Sequence, residues 1–258
     1  MSKYNPLKMP HVFTAIVLMG SLLLMGNSLF SQEQPSVDEK IQTNLHTPGT
    51  VLEVEFKKGL EHYYPLMAIW VEDMQGRYVH PLYIARSMAK GVFSHAQYQD
   101  GAWEAGEKKI PSALPYWLHK HNIPGPDSLY IPTPDHPIPD AYSGATPTGS
   151  FVLKTVVADT VKSPFRVLFE INQSWDWNQH WYNSKYPGNE EYMKSAQPAL
   201  VYEARVDTQM PGNKIMMKPI GHSHPYGASG ELFEDLSTLT TAREIAERIA
   251  VRVLSKSE

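Results

Sequence analysis

Three clusters of polar and aromatic residues in this chain have the types and spacing to do chemistry. The first is Asp140-Ala141-Tyr142-Ser143-Gly144-Ala145-Thr146, which follows a segment holding Pro124, Pro126, Pro132, Pro134, Pro137 and Pro139. Taken as residues alone it is a turn: Asp140 and Ser143 favour turns, and Gly144 supplies a backbone shape that other residues resist. The second cluster sets Trp175, Trp177, Trp181, Tyr182 and Tyr186 among Asn172, Gln173, Asp176, Asn178, Gln179 and His180. Aromatic faces beside amides and a carboxylate suit a flat ligand such as a sugar ring or an isoalloxazine. The bland alternative is a long loop folded over a sheet edge, its tryptophans filling the core rim. The third is His222-Ser223-His224. On a continuing strand, period two puts both imidazoles on one face, where they would share a metal completed by Glu231, Glu234 or Asp235. His119-Lys120-His121 is a second such pair. No His-Glu-x-x-His spacing occurs, and a Gly/Pro-flanked turn with the imidazoles bonded to backbone is the competing reading. No Gly-x-Ser-x-Gly elbow is present to support nucleophilic catalysis. Carboxylates such as Asp140, Asp176, Glu203 and Asp207 would pair only through the fold.

Strands are the elements expected to position these clusters. Leu52, Val54 and Phe56 alternate with Glu53, Glu55 and Lys57, the pattern of a strand with one wet face. Residues 66–71 are apolar on both faces and predict a central strand, joined through Asp73-Met74-Gln75-Gly76 to a returning strand over 78–85. Residues 87–110 read as irregular, punctuated by Gly91, Gly101 and Gly106. Over 111–121, Leu114, Trp117, Leu118 and His121 form one helical stripe. The proline-rich segment then crosses the surface in extended form. Strands resume at 151–157, 165–171 and 200–206, with a weaker one at 214–220. The C-terminal stretch is ambiguous. Ala242, Ile245, Ala246 and Ile249 have helical spacing, whereas Ile249, Val251 and Val253 alternate as in a strand. Strands separated by turns, without a βαβ rhythm, favour a sandwich.

Lys3 and Lys8 precede an apolar run over 12–25, and Gly26, Asn27 and Ser28 follow it. That is the layout of a secretory signal, with cleavage near Ser31-Gln32. Read on to Phe30, the run approaches the length of a spanning helix, so an uncleaved anchor is the alternative. The chain is therefore expected to be exported to the periplasm or beyond. Residues 1–31 serve as signal, 32–48 as a flexible polar tether and 49–258 as one domain. The absence of cysteine excludes disulfides, thiolate metal sites and a lipidated cysteine. The 27 Asp and Glu outnumber the 23 Lys and Arg, two of which lie in the leader. Nothing in that balance predicts a nucleic-acid surface.

Two resemblances add to this. Asp140-x-x-Ser143-Gly144-Ala145-Thr146 resembles the signature at which a flavin transferase attaches FMN to a threonine through a phosphodiester. By that resemblance Thr146 would carry the flavin, and Asp140 would serve recognition or metal-assisted transfer. The wider chain is similar to the predicted periplasmic family known as domain of unknown function 2271. That match rests on residues 52–56, Tyr64-Pro65-Leu66-Met67-Ala68-Ile69-Trp70-Val71-Glu72-Asp73 with Gly76-Arg77-Tyr78-Val79, Pro115-Tyr116-Trp117-Leu118, and the 140–147 stretch with Gly149. The family implies an immunoglobulin-like region, similar to that of flagellar hook-capping proteins. It also implies the company of flavin transferases and membrane redox proteins.

The architecture expected is therefore mainly β: an immunoglobulin-like β-sandwich with a short helix, a Pro-rich crossover and a long aromatic loop. The expected function is a non-catalytic accessory or binding domain beside an extracytoplasmic flavin-dependent redox or metal-handling system, with no cofactor of its own. Its partner would be an extracytoplasmic protein such as a membrane redox protein or a flavin transferase. Its site would be a rim uniting Ser143, Gly144 and Thr146 with Trp175, Trp177, His222 and His224. The rivals are an electron carrier with FMN on Thr146 and a metal-dependent hydrolase using the histidines.

Overall fold

The computed structural model describes residues 38–121 and 129–255. The expected signal, residues 32–37 of the expected tether, and Pro124 and Pro126 lie outside them. Among the described residues no helix is long and apolar enough to cross a membrane.

The chain opens with β1 (Glu39–Gln42), β2 (Gly49–Lys58), β3 (Leu66–Glu72), β4 (Tyr78–Ala85) and the short helix α1 (Arg86–Lys90). An antiparallel ribbon, β5 (Val92–Gln99) and β6 (Ala102–Glu107), precedes helix α2 (Pro115–Lys120). Then come β7 (Ser143–Gly144), β8 (Phe151–Ala158), β9 (Phe165–Asn172) and helix α3 (Glu190–Ser195). The last strands are β10 (Leu200–Val206), β11 (Ile215–Met216), β12 (Lys218–His222) and β13 (Ala246–Val253). Two sheets result, ordered β1-β8-β2-β13-β11 and β12-β10-β9-β3-β4-β7, with β5-β6 standing apart. The protein is a mainly β sandwich.

Period-two burial explains the packing. Leu52, Val54 and Phe56 of β2 meet Val167, Phe169 and Ile171 of β9 and Leu200, Tyr202, Ala204 and Val206 of β10 in the core between the sheets. The larger sheet is apolar on both faces because a third layer covers its outside. Trp117, Leu118 and Leu114 around α2, Met88 and Ala89 of α1, and Ile138 of the proline-rich segment pack onto Trp70, Ile84, Leu168 and Val201. Each of the larger of these side chains contributes on the order of 1.5–3 kcal/mol by leaving water.

Two segments depart from expectation, and a third takes one of its two alternatives. Residues 39–42 of the expected tether are a strand, paired in parallel with β8. Beyond it Thr43 is buried and joins the two sheets, donating to the Leu82 carbonyl (2.8 Å) and bonding the Thr155 hydroxyl (2.9 Å). A mostly exposed polar edge strand leaves no hydrophobic period to read. Residues 87–110 are not irregular but hold α1 and the β5-β6 ribbon. At 240–254 a 3-10 turn over Thr241–Glu244 leads into β13. The strand prevails there because alternation sends Ile249, Val251 and Val253 into the core and sets Arg252 and Arg248 against Glu53 and Glu55 of β2 (2.8 and 3.0 Å).

Candidate functional site

The three clusters do not form one rim. Ser143 and Gly144 lie on β7 and His222 on β12, the opposite edges of the six-stranded sheet. Five strand spacings separate them, on the order of 24 Å. Only the tryptophan loop reaches the histidine edge, where the buried Trp181 ring meets that of His222 edge-on at 5.8 Å.

The 140–146 stretch has structural work at most positions. The Asp140 side chain is 87% exposed and pairs with Lys90 of α1 at 2.7 Å, which holds its carboxyl below the usual range. Ser143 and Gly144 pair in parallel with Ile84 and Ala85. A Cβ on Gly144 would come within 2.8 Å of the Tyr83 ring, so glycine is required by that close approach. The Tyr83 hydroxyl donates to the next carbonyl, that of Ala145. Thr146 follows, half-buried, in the connection to β8.

The histidine pair is likewise engaged locally. His222 Nδ1 bonds the Ser223 carbonyl at 2.9 Å, and His224 Nδ1 accepts from the backbone N–H groups of Tyr226 and Ala228 (3.4 and 3.3 Å). His222 stacks on Phe233 at 5.3 Å. Burial lowers both imidazole pKa values. Among the described residues no three His, Asp or Glu side chains are gathered to hold a metal, so Glu231, Glu234 and Asp235 do not complete a shell with them.

The tryptophan loop divides by role. Trp181 fills the core rim, its Nε1 donating to Thr238 Oγ1 at 3.2 Å. Trp177 is half-buried against Tyr192. Trp175 alone of the three turns outward, 67% exposed, with its backbone at φ +65°. Anchors on both sides impose that left-handed geometry. The Trp175 N–H donates to the Lys194 carbonyl, while the carboxylate of Asp176 accepts from Thr241 and its carbonyl from the Gln197 N–H.

Trp175 faces a cleft of about 310 Å³ whose other parts come from distant segments. Tyr64, in the turn before β3, is also left-handed (φ +55°) and 77% exposed. The buried Gln173 side chain holds that turn by accepting the Tyr63 N–H at 2.6 Å. Non-glycine residues in this region are strained by about 1–2 kcal/mol each. The β5-β6 ribbon forms the facing wall. Its pairing slips between Phe93 and Gln97, and this irregularity brings Phe93, Ser94 and His95 to the cleft, with Ser94 Oγ and His95 Nδ1 bonded at 2.9 Å. Bulges re-aim side chains in this way. Leu66 and Ile110 are the cleft's aliphatic residues, and Ser87, Lys108 and Lys194 add polar ends.

Of these residues only Trp175 was a predicted site residue. The ribbon did have a signal in Asp100-Gly101, both at positive φ (+50° and +85°) between segments carrying His95, Tyr98 and Trp103. Asp-Gly is among the strongest two-residue hairpin signals. Compared with known proteins, the chain matches no family model, no curated protein and no solved structure.

Proposed function

We propose that this protein is an exported, non-catalytic binding module whose recognition surface is the cleft between the β5-β6 ribbon and the Trp175 turn. One observation carries the reading. Two large aromatic side chains, Tyr64 and Trp175, are exposed over one cleft on left-handed backbone that ordinary packing would avoid. Strained backbone and exposed aromatic surface both disfavour the free fold and are typical of sites kept for recognition. The cleft offers hydroxyls, amines and rings, no carboxylate lines it, and no metal shell is gathered among the described residues.

The test needs no ligand. Replacing Tyr64 and Trp175 together by glycine relieves the left-handed strain and removes both rings. On this reading the urea midpoint is unchanged or higher. A loss above about 2 kcal/mol would mean that the rings are packing residues, and would overturn the assignment. The rival reading, FMN on Thr146, draws on the exposure of Asp140 at a sheet edge open to a modifying enzyme. Co-expression with a flavin transferase and an intact mass would reveal it.

A further inference from the structure

Resting on the binding reading above, the chemistry of the cleft points to its ligand: we infer an anionic pyranose, a sugar ring bearing a carboxylate or sulfate. The first reason is charge. The chain as a whole is net negative, yet the basic residues Lys108, Lys194 and His95 line the cleft and no carboxylate does. Lys194 is paired with Glu191 at 2.6 Å, whereas Lys108 forms no ion pair with any described residue. The backbone N–H of Lys108 is fixed to the Gly91 carbonyl at 2.9 Å, where the ribbon leaves the domain. A lysine whose backbone is fixed there and whose amine has no ion-pair partner among the described residues is a counter-charge for a ligand acid.

The second reason is the pairing of aromatic faces with hydroxyls. A pyranose has an apolar C–H face and a hydroxyl edge. Tyr64 and Trp175 offer surfaces for the face, while Ser87, Ser94 and His95 offer hydrogen bonds for the edge. Both rings lie largely in solvent, which suits a ligand stacked in an open cleft. A flat aromatic cofactor is instead usually enclosed over 70–90% of its surface. The cleft's size, about 310 Å³, lies near the lower end of small-molecule sites, which begin at about 300 Å³.

Calorimetric titration of the purified protein with galacturonic acid tetramer, a sulfated galactose tetramer and neutral galactose tetramer tests this inference. The wild type is compared with Lys108→Gln and Trp175→Ala at low and high salt. At least one acidic tetramer should bind about tenfold or more tighter than the neutral one, which is about 1.4 kcal/mol. The two acidic arms separate a carboxylate ligand from a sulfate one. Lys108→Gln should abolish the acidic preference, so that acidic and neutral tetramers bind equally in that variant, and Trp175→Ala should weaken all three. High salt should weaken only the acidic ligands. Equal, Trp175-dependent binding of acidic and neutral tetramers would overturn the charge assignment while the binding reading stood. If no tetramer bound, the sugar class would be wrong. The ligand-free stability of the Tyr64/Trp175 glycine variant would still decide the cleft's role separately.

Discussion

Glu170 offers a pH experiment whose sign and size follow from its surroundings. It lies in β9 with its side chain fully buried, and its Oε1 and Oε2 accept the backbone N–H groups of Tyr116 (3.1 Å) and Trp117 (2.7 Å) at the start of α2. Burial pushes its carboxyl from 4.5 up to about 8, against the pull of those two donors and of the Ser223 hydroxyl. Between these values the folded chain holds the proton and the unfolded chain releases it, so stability falls as pH rises through the window. At about 1.4 kcal/mol per pH unit the ceiling is about 5 kcal/mol. Relaxation of the site brings the expected loss between pH 5 and 8 to about 2–4 kcal/mol. Glu170→Gln cannot titrate, but it presents one oxygen to two N–H donors and leaves one of them facing an amide NH₂. That mismatch costs about 1–3 kcal/mol. Urea unfolding should therefore show the variant less stable at pH 5 by about that amount, with the gap closed or reversed by pH 8. His62, His80, His121 and His222, whose pKa values burial lowers, act in the opposite sense as pH falls below about 6.5. They are common to both proteins and cancel in the difference. A gap that stayed constant from pH 5 to 8 would refute the protonated Glu170.

Other outcomes follow from named contacts. Arg166 bonds the buried Glu72 at 2.9 Å and also pairs with Glu203. Arg166→Ala leaves Glu72 only the Trp70 indole N–H (3.1 Å) and Lys120 at 3.7 Å, and should cost about 3–5 kcal/mol in denaturant unfolding. Gly144→Ala forces the new methyl against the Tyr83 ring and should cost about 1–3 kcal/mol, measured as a lower melting temperature. No loss would free the 140–146 turn from its structural explanation. His62 packs on Phe56 at 5.6 Å with both ring nitrogens buried and unpartnered, and burial lowers its pKa. Its contribution is present above about 6.5 and lost as pH falls through the lower folded value. His62→Leu should therefore flatten the acid limb of the thermal-stability profile while leaving pH 8 stability within about 1 kcal/mol.

The elements that build the sandwich were legible because burial imposes a local period. Leu52, Val54 and Phe56 alternate in a single run of sequence, and Leu114, Trp117 and Leu118 share one helical stripe, so each buried face can be read without its partner. The wet Asp73–Gly76 turn between β3 and β4 is equally local: the Gly76 N–H donates to the Asp73 carbonyl at 3.0 Å. The cleft has no such local trace. Tyr64, Phe93, Lys108, Trp175 and Lys194 come from five separate segments and converge only because β3, the β5-β6 ribbon, the loop after β9 and α3 are folded together. Which tryptophan turns outward was likewise undecidable from composition, since Trp175, Trp177 and Trp181 are the same residue type within seven positions. Anchors at Gln197 and Thr241 hold Asp176, and with it the left-handed turn at Trp175, while Trp181 meets His222 in the interior. The distance between the Ser143–Thr146 turn and the histidine pair was also beyond reach, because strand order belongs to the sheet and not to any strand. Periodicity states which face of an element is buried. Long-range pairing alone decides what lies beside it.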